Sequence, residues 1–232
     1  MIKNKLVFFF VEKLIRGIVD FRKKTQKEFR ESFGYLATGQ SPDTLFIACS
    51  DSRVVPNTFA STNPGDLFVV RNVGNLIPPC GDHGISSSDE SEGAAIEFSV
   101  LSLKVSHIIV CGHSECAAMT ALVGDRKKVK TPNLRNWLRH GELAFKNLNS
   151  GVVLDPTLKI HNQLSQLNVL QQMEHIKTYP DVKKRIEEGS LNVYGWWFDI
   201  AKADVYAYEE AVNKFILIDE EEAERLLERL EK

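Results

Sequence analysis

GAAIEFSVLSLKVSHIIVCGHSEC, residues 93–116, contains two periodicities and one abrupt change of chemistry. Over 93–104 the apolar residues recur at helical spacing, whereas 107–111 is a continuous β-type run of the kind a fully buried strand shows. A second apolar run lies upstream at 67–70, so the helical stretch has the length and place of a crossover between two parallel strands. Strand, helix, strand in this order predicts an α/β fold with a parallel sheet. The change of chemistry comes at the end of the second run, where Gly112-His113-Ser114-Glu115-Cys116 replaces the apolar residues.

A third run, 44–48, ends the same way, in Cys49-Ser50-Asp51-Ser52-Arg53. Two strands thus deliver thiols, an imidazole, a carboxylate and a guanidinium at their carboxyl ends, where open α/β sheets place their ligand sites. His113 and Cys116 are spaced i, i+3 at a strand-to-helix turn, which lets both converge on one ion. Cys49 is a candidate third ligand. Two thiolates and one imidazole suit zinc and leave one tetrahedral position open, the arrangement of a catalytic site. Cys111, inside the strand, reads as a small core residue. Asp51 is either a fourth ligand in a closed state or an acceptor gripped by Arg53 through a bidentate hydrogen bond, leaving that position to water.

Outward from these strands, the chain reads as one domain, 1–232. An N-terminal helical arm covers about 6–34, an α/β core about 43–218, and a C-terminal helix about 219–232. The arm carries Phe10, Leu14, Ile18 and Phe21 at helical spacing in a charged segment, a face suited to the body or to a partner subunit. Thr131-Pro132 has the form of an N-cap with proline at the first helical position. Further helices are expected over 156–176 and 180–188, and strands over 191–200, 205–208 and 215–218. The last helix places Leu226, Leu227 and Leu230 on one face.

Composition narrows the function. With 232 residues, 43% hydrophobic and 26% charged, the chain can bury a substantial core, and a net charge of -2 lacks the cationic excess that nucleic-acid backbones require. The basic run 125–130 reads as a solvated loop. The apolar run 6–11 is too short for a signal peptide and is followed at once by Glu12 and Lys13. No run reaches the length of a membrane span, and the cytoplasm is the expected location. Four cysteines in such a chain suggest ligands or thiols rather than bridges. Cys80 and His83 form a second C-x-x-H pair, but in a Gly/Pro-rich loop with no other thiol they read as surface residues.

The pattern Cys49-x-Asp51-Ser52-Arg53 followed by His113-x-x-Cys116 resembles the zinc signature of the β-class carbonic anhydrases. GQSPDTLFIACSDSRVVPNTF, PGDLFVVRNVGNLIPP, EGAAIEFSVLSLKVSHIIVCGHSEC and VYGWWFDI also resemble family segments in order and spacing, over roughly residues 6–218. The resemblance implies reversible hydration of CO2 to bicarbonate and a proton by zinc-bound hydroxide, with one zinc ion per subunit. It implies Cys49, His113 and Cys116 as ligands and Asp51 with Arg53 as the gating and orienting dyad. Gln40 matches a substrate-binding glutamine, and Phe68 and Val73 match walls of the CO2 pocket. It further implies a mostly parallel β-sheet flanked by helices, assembled as a homodimer or a dimer of dimers, with N-terminal helices wrapped around the partner and active sites near the interface.

The chain departs from the family pattern at several positions. Ala117 stands where a glycine commonly follows the second cysteine, and Phe98 where a pocket tyrosine is frequent. At three positions that bind an inhibitory bicarbonate in some bacterial members, Phe46, Arg71 and Phe198 retain only the arginine, so that form of regulation is expected to be missing. The same fold and zinc site can also host carbon disulfide hydrolysis, distinguished by pocket access. A catalytically idle zinc protein is a third reading, which the intact Asp51–Arg53 pair opposes.

Overall fold

Six strands form one sheet in the order β2-β1-β3-β4-β5-β6: β1 (Thr44–Cys49), β2 (Leu67–Asn72), β3 (His107–His113), β4 (Asn192–Asp199), β5 (Asp204–Glu209) and β6 (Lys214–Leu217). The computed structural model describes residues 2–88 and 90–230. Side chains of 2–10 and of Leu230 lie outside the described set, and with them the Phe10 and Leu230 positions of the two expected apolar faces. Strands β1 to β4 run parallel, while β5 and β6 add an antiparallel edge. A mixed sheet results, because the short links 200–203 and 210–213 are too brief to carry a parallel crossover.

Strand β1 lies inside the sheet, between β2 and β3, because its residues suit only a place covered on both faces. Leu45, Phe46, Ile47 and Ala48 are at most 2% exposed, and fully burying each large side chain contributes roughly 1.5–3 kcal/mol. Leu45 and Ile47 join the cluster under α4 (Glu90–Glu97), α8 (Ile160–Lys177) and α9 (Pro180–Glu187), which supply Ile96, Val169, Ile176 and Val182. On the opposite face Phe46 and Ala48 pack with Ile109, Cys111 and Phe198, beside Phe59 of the short α3 (Pro56–Phe59). Cys111 is fully buried, as a core residue should be, and burial pushes its thiol up.

The remaining elements are α5 (Ala117–Val123), α6 (Pro132–Trp137), α7 (Glu142–Asn149) and α10 (Glu220–Leu230). Thr131 precedes α6 with Pro132 in the first turn, yet its side chain makes no capping hydrogen bond. The helix expected from 156 starts instead at Ile160. Asp155 accepts from the N–H and hydroxyl of Thr157, a local turn that competes with helix for those residues. The crossover helix ends in a π-helical turn, Phe98–Ser102, before β3. On α10, Leu227 is exposed and the buried residue among the described side chains is Glu222, so this helix docks through charge as much as through leucines.

The chain divides into two compact units, Met1–Ser41 and Pro42–Lys232. The first holds α1 (Ile2–Lys24) and α2 (Gln26–Leu36), with Phe21 stacked near Phe29. Along α1, Leu14, Ile15, Ile18 and Phe21 are exposed.

Candidate metal centre

Register brings the two polar strand ends together. β1 pairs with β3 from Thr44 beside His107 to Ala48 beside Cys111, so Cys49 and His113 leave neighbouring strands at the same end. Cys116 follows within one tight turn and precedes α5 as its capping residue. Ligand atoms of Cys49, His113 and Cys116 all lie within 4.8 Å of one another, and all three residues are buried. Among the described residues no other group of three histidine, cysteine or carboxylate side chains clusters this way. Cys80 and His83 accordingly stay in a loop without further ligands.

The turn that brings Cys116 back is itself pinned. Glu115 takes a left-handed φ of 55°. Its N–H donates to Asn162 Oδ1 at 2.7 Å, and its carboxylate accepts from Lys159 Nζ at 2.9 Å and pairs with His161 Nε2 at 3.1 Å. Lys159, then His161 and Asn162, hold the Glu115 carboxyl down at about 2. Ser114 closes the other side: its N–H donates to Phe198 O, and its hydroxyl accepts from the Ile200 N–H at 2.9 Å. Neither Lys159 nor Asn162 carries a sequence signal for this role. Only the docking of the α8 N-terminus on the turn reveals it.

Donor chemistry fits a soft divalent ion such as zinc. His113 Nδ1 lies 2.8 Å from the Ser114 carbonyl, which fixes the N–H at Nδ1 and leaves Nε2 as the lone-pair nitrogen. That Nε2 is buried without a hydrogen-bond partner, and the ring offers its ligand atom within 4.8 Å of both sulfurs. The Cys49 thiol is held low, first by the Cys116 thiol and then by His113 and the backbone of Gly74 and Asp51, against the cost of burial. Cys116 is pushed up by the Cys49 thiol beside it and by burial, so each sulfur opposes the ionisation of the other. A divalent cation removes this conflict by taking both as thiolates.

Asp51 stands beside this cluster but outside it, turned to Arg53. Its Oδ1 accepts from Arg53 N at 3.0 Å and Nε at 2.9 Å, and its Oδ2 from Nη2 at 2.7 Å. This grip keeps the carboxyl well below its ordinary range, against the opposing effect of burial. Arg53 Nη2 also donates to the Glu115 carbonyl at 3.1 Å. Arg71 is engaged in the same scaffold: its Nε and Nη2 donate to the carbonyls of Cys49 at 3.0 Å and Asp51 at 2.7 Å.

The expected substrate residues do not all gather here. Val73 lies one residue from Gly74, whose N–H reaches the Cys49 sulfur at 3.3 Å, and it lines a cavity of about 640 Å³ with Ser50, Asn72 and Trp137. Ala117 is exposed and opens α5 directly after Cys116. Phe68 packs against Phe98, their ring centroids 5.8 Å apart, but β2 sets Asn72 beside Cys49. Phe68 is four residues earlier, about 13 Å along the strand. Gln40 belongs to the other unit, in the exposed segment after α2.

Comparison with known proteins agrees with this chemistry. Residues 44–205 match the family model described as carbonic anhydrase. A carbonic anhydrase of Synechococcus elongatus is 38% identical over 90% of this chain and 76% of its own length. The solved β-carbonic anhydrase CcaA superposes with a TM-score of 0.82 at 35% identity, covering 90% of this chain and 92% of that one. A structure from the study of two tetrameric β-carbonic anhydrases of Sordaria macrospora gives 0.69 at 28% identity, covering 88% and 96%.

Proposed function

This chain belongs to the β-class carbonic anhydrase family and catalyses the reversible hydration of CO2 to bicarbonate and a proton, and we propose that Cys49, His113 and Cys116 hold its zinc ion while Asp51 and Arg53 gate and orient the open position. The observation that carries the assignment of roles is the convergence of these three ligand atoms, with a bare His113 Nε2, next to a carboxylate held away by an arginine. Zinc bound there supplies the Lewis acidity that makes water a nucleophile at neutral pH, for which carbonic anhydrase is the reference example.

The protein's own residues then do the positioning. Arg53 holds the Asp51 carboxylate charged and fixed, so it acts as an acceptor toward whatever occupies the fourth position and does not fill that position itself. Released from Arg53, the same carboxylate would be free to serve as a fourth ligand and so close the site. Val73 offers apolar surface near the metal residues for CO2, and Ala117 presents its backbone N–H at the start of α5. Phe98 supplies a ring without a hydroxyl.

Phe68, Phe98 and Gln40 complete the reading through assembly. Since Phe68 sits about 13 Å along β2 from the residue beside Cys49, with the Phe98 ring packed against it, we assign both and Gln40 to the pocket of a neighbouring subunit in a homodimer. The exposed apolar face of α1 supports an arm that packs on the partner, and the Sordaria relatives are tetrameric, which favours a dimer of dimers. Among the described residues no helix is long and apolar enough to cross a membrane. The proposed location is the cytoplasm.

Bicarbonate control of the kind expected to be missing has little left to act through. Phe46 is buried against Phe59 and Trp196, Phe198 stacks on Phe59 at 4.7 Å, and the Arg71 guanidinium is spent on two carbonyls. Sigmoidal bicarbonate dependence abolished by Arg71→Ala would contradict this.

Zinc analysis with stopped-flow CO2 hydration, run on the wild type and Asp51→Ala, tests the proposal. Expected are one zinc per chain, active wild type, and a slowed variant that keeps its zinc. Bound zinc with no hydration at any pH would refute the enzyme reading.

A further inference from the structure

Two amide side chains on α8, Asn168 and Gln172, are completely buried, yet neither belongs to the metal centre. Their hydrogen bonds account for both. Gln172 Nε2 donates to Asn168 Oδ1 and to the His140 carbonyl, each at 3.0 Å, and its Oε1 accepts from the Ile77 N–H at 2.7 Å. Asn168 Nδ2 donates to the Gly74 carbonyl at 3.1 Å. The pair therefore fastens the segment from Gly74 to Ile77, the loop that leaves β2.

The same loop is held from its other side. Trp137 Nε1 donates to the Val73 carbonyl at 2.8 Å, and the Asn72 side chain spans the N–H and C=O of Leu76, each at 2.8 Å. What this fixing achieves is the aim of one group. Gly74, at φ 84°, directs its N–H onto the Cys49 sulfur at 3.3 Å. A Cβ at Gly74 would stand 2.9 Å from Ala118 Cβ in α5, so the loop is wedged between the elements that carry Cys49 and Cys116.

We propose that Asn168 is a positioning residue for the metal centre: it fixes the peptide that follows Gly74 through the Gly74 carbonyl, while Trp137 on the Val73 carbonyl fixes the peptide that carries the Gly74 N–H, so that together they aim this N–H at the Cys49 sulfur, and the N–H···S bond sets the orientation and charge donation of Cys49 toward the metal. A donor on a ligating thiolate draws electron density from sulfur, leaving the metal a stronger Lewis acid, and such outer partners govern metal affinity as well as rate. Asparagine suits the position because one side chain must donate to Gly74 O and accept from Gln172 at once. The inference rests on the reading of Cys49 as a ligand.

The test uses the full chain, 15N-labelled and loaded with 113Cd in place of zinc. Expected is a scalar coupling from 113Cd to the Cys49 β-protons and a second, through sulfur, to the Gly74 amide. In Asn168→Leu that second coupling disappears, zinc affinity by chelator competition falls about 10- to 100-fold, and the thiolate-to-cobalt charge-transfer band of the Co2+ form shifts. Should Asn168→Leu fail to fold, the wild-type couplings decide. A Cys49 coupling with a Gly74 amide that is uncoupled and exchanges freely overturns the inference alone, as does a folded Asn168→Leu protein with native affinity and an unshifted band. Absence of coupling to Cys49 overturns the ligand assignment beneath it.

Discussion

Two carboxylates in this molecule are held by arginines, Asp51 at the end of β1 and Glu209 at the end of β5, and they have opposite uses. Both are drawn well below the ordinary carboxylate range by the guanidinium beside them. Asp51 has one arginine, two residues away and half exposed, and stands beside three converging metal-binding atoms. Glu209 Oε2 has two, Arg225 Nη2 at 2.7 Å and Arg229 Nη1 at 2.6 Å, both from α10, with the Ala211 N–H on its other oxygen. Glu222 grips Arg225 as well. On the proposed reading an ion pair is a gate or a staple according to its neighbours. One exposed partner beside an open ligand position permits release, whereas two partners on a docked helix do not.

Variants sharpen this contrast. The largest effect is expected from Cys116→Ser, which removes the destination that makes Asp51 a gate: zinc content by mass spectrometry and CO2 hydration should both fall to background. Full zinc and full rate in that variant would show the ligand set to be wrong. Arg53→Ala frees Asp51 to enter the fourth position. Hydration should drop roughly 10- to 100-fold while zinc remains bound, and the Co2+ spectrum should change as an oxygen ligand is added.

The staple should respond in stability alone. Glu209→Gln is expected to leave kcat and zinc content unchanged and to lower Tm by roughly 2–6 °C, since the arginines keep a neutral acceptor but lose the charge. A loss of activity there would end the comparison. The smallest effect is a pH dependence. Glu209 ionises at about 2 in the folded chain against its ordinary 4.5, so the unfolded chain binds the extra proton across that interval. Its stabilising contribution is complete above about pH 4.5 and fades as pH falls toward 2. Denaturation midpoints measured over this range should show a shallower decline in Glu209→Gln than in the wild type.

Legibility from sequence followed burial and locality. The runs at 44–48, 67–70 and 107–111 became β1, β2 and β3 because continuous apolar residues bounded by polar turns have few other places to go. Asp51 and Arg53 could be paired in advance, being two residues apart in one turn. Local rules failed where two readings compete over a few residues. Thr131 precedes its helix without capping it, and Asp155 draws Thr157 into a turn where helix was expected. Leu227 on α10 faces outward because Glu222 and Arg225 dock that helix instead.

By itself, then, the sequence determined which atoms can bind the metal and that they arrive at strand ends, since side-chain chemistry and hydrophobic periodicity are properties of residues and their near neighbours. Tertiary structure decided everything that depends on distant segments meeting. It placed Asp51 on Arg53 rather than within the metal cluster, seated the α8 N-terminus on Glu115, and led Asn168 to Gly74 and so to the Cys49 sulfur. Hydrogen bonds between groups 94 residues apart leave no periodic trace along the chain, because their specificity lies in three-dimensional aim and not in spacing.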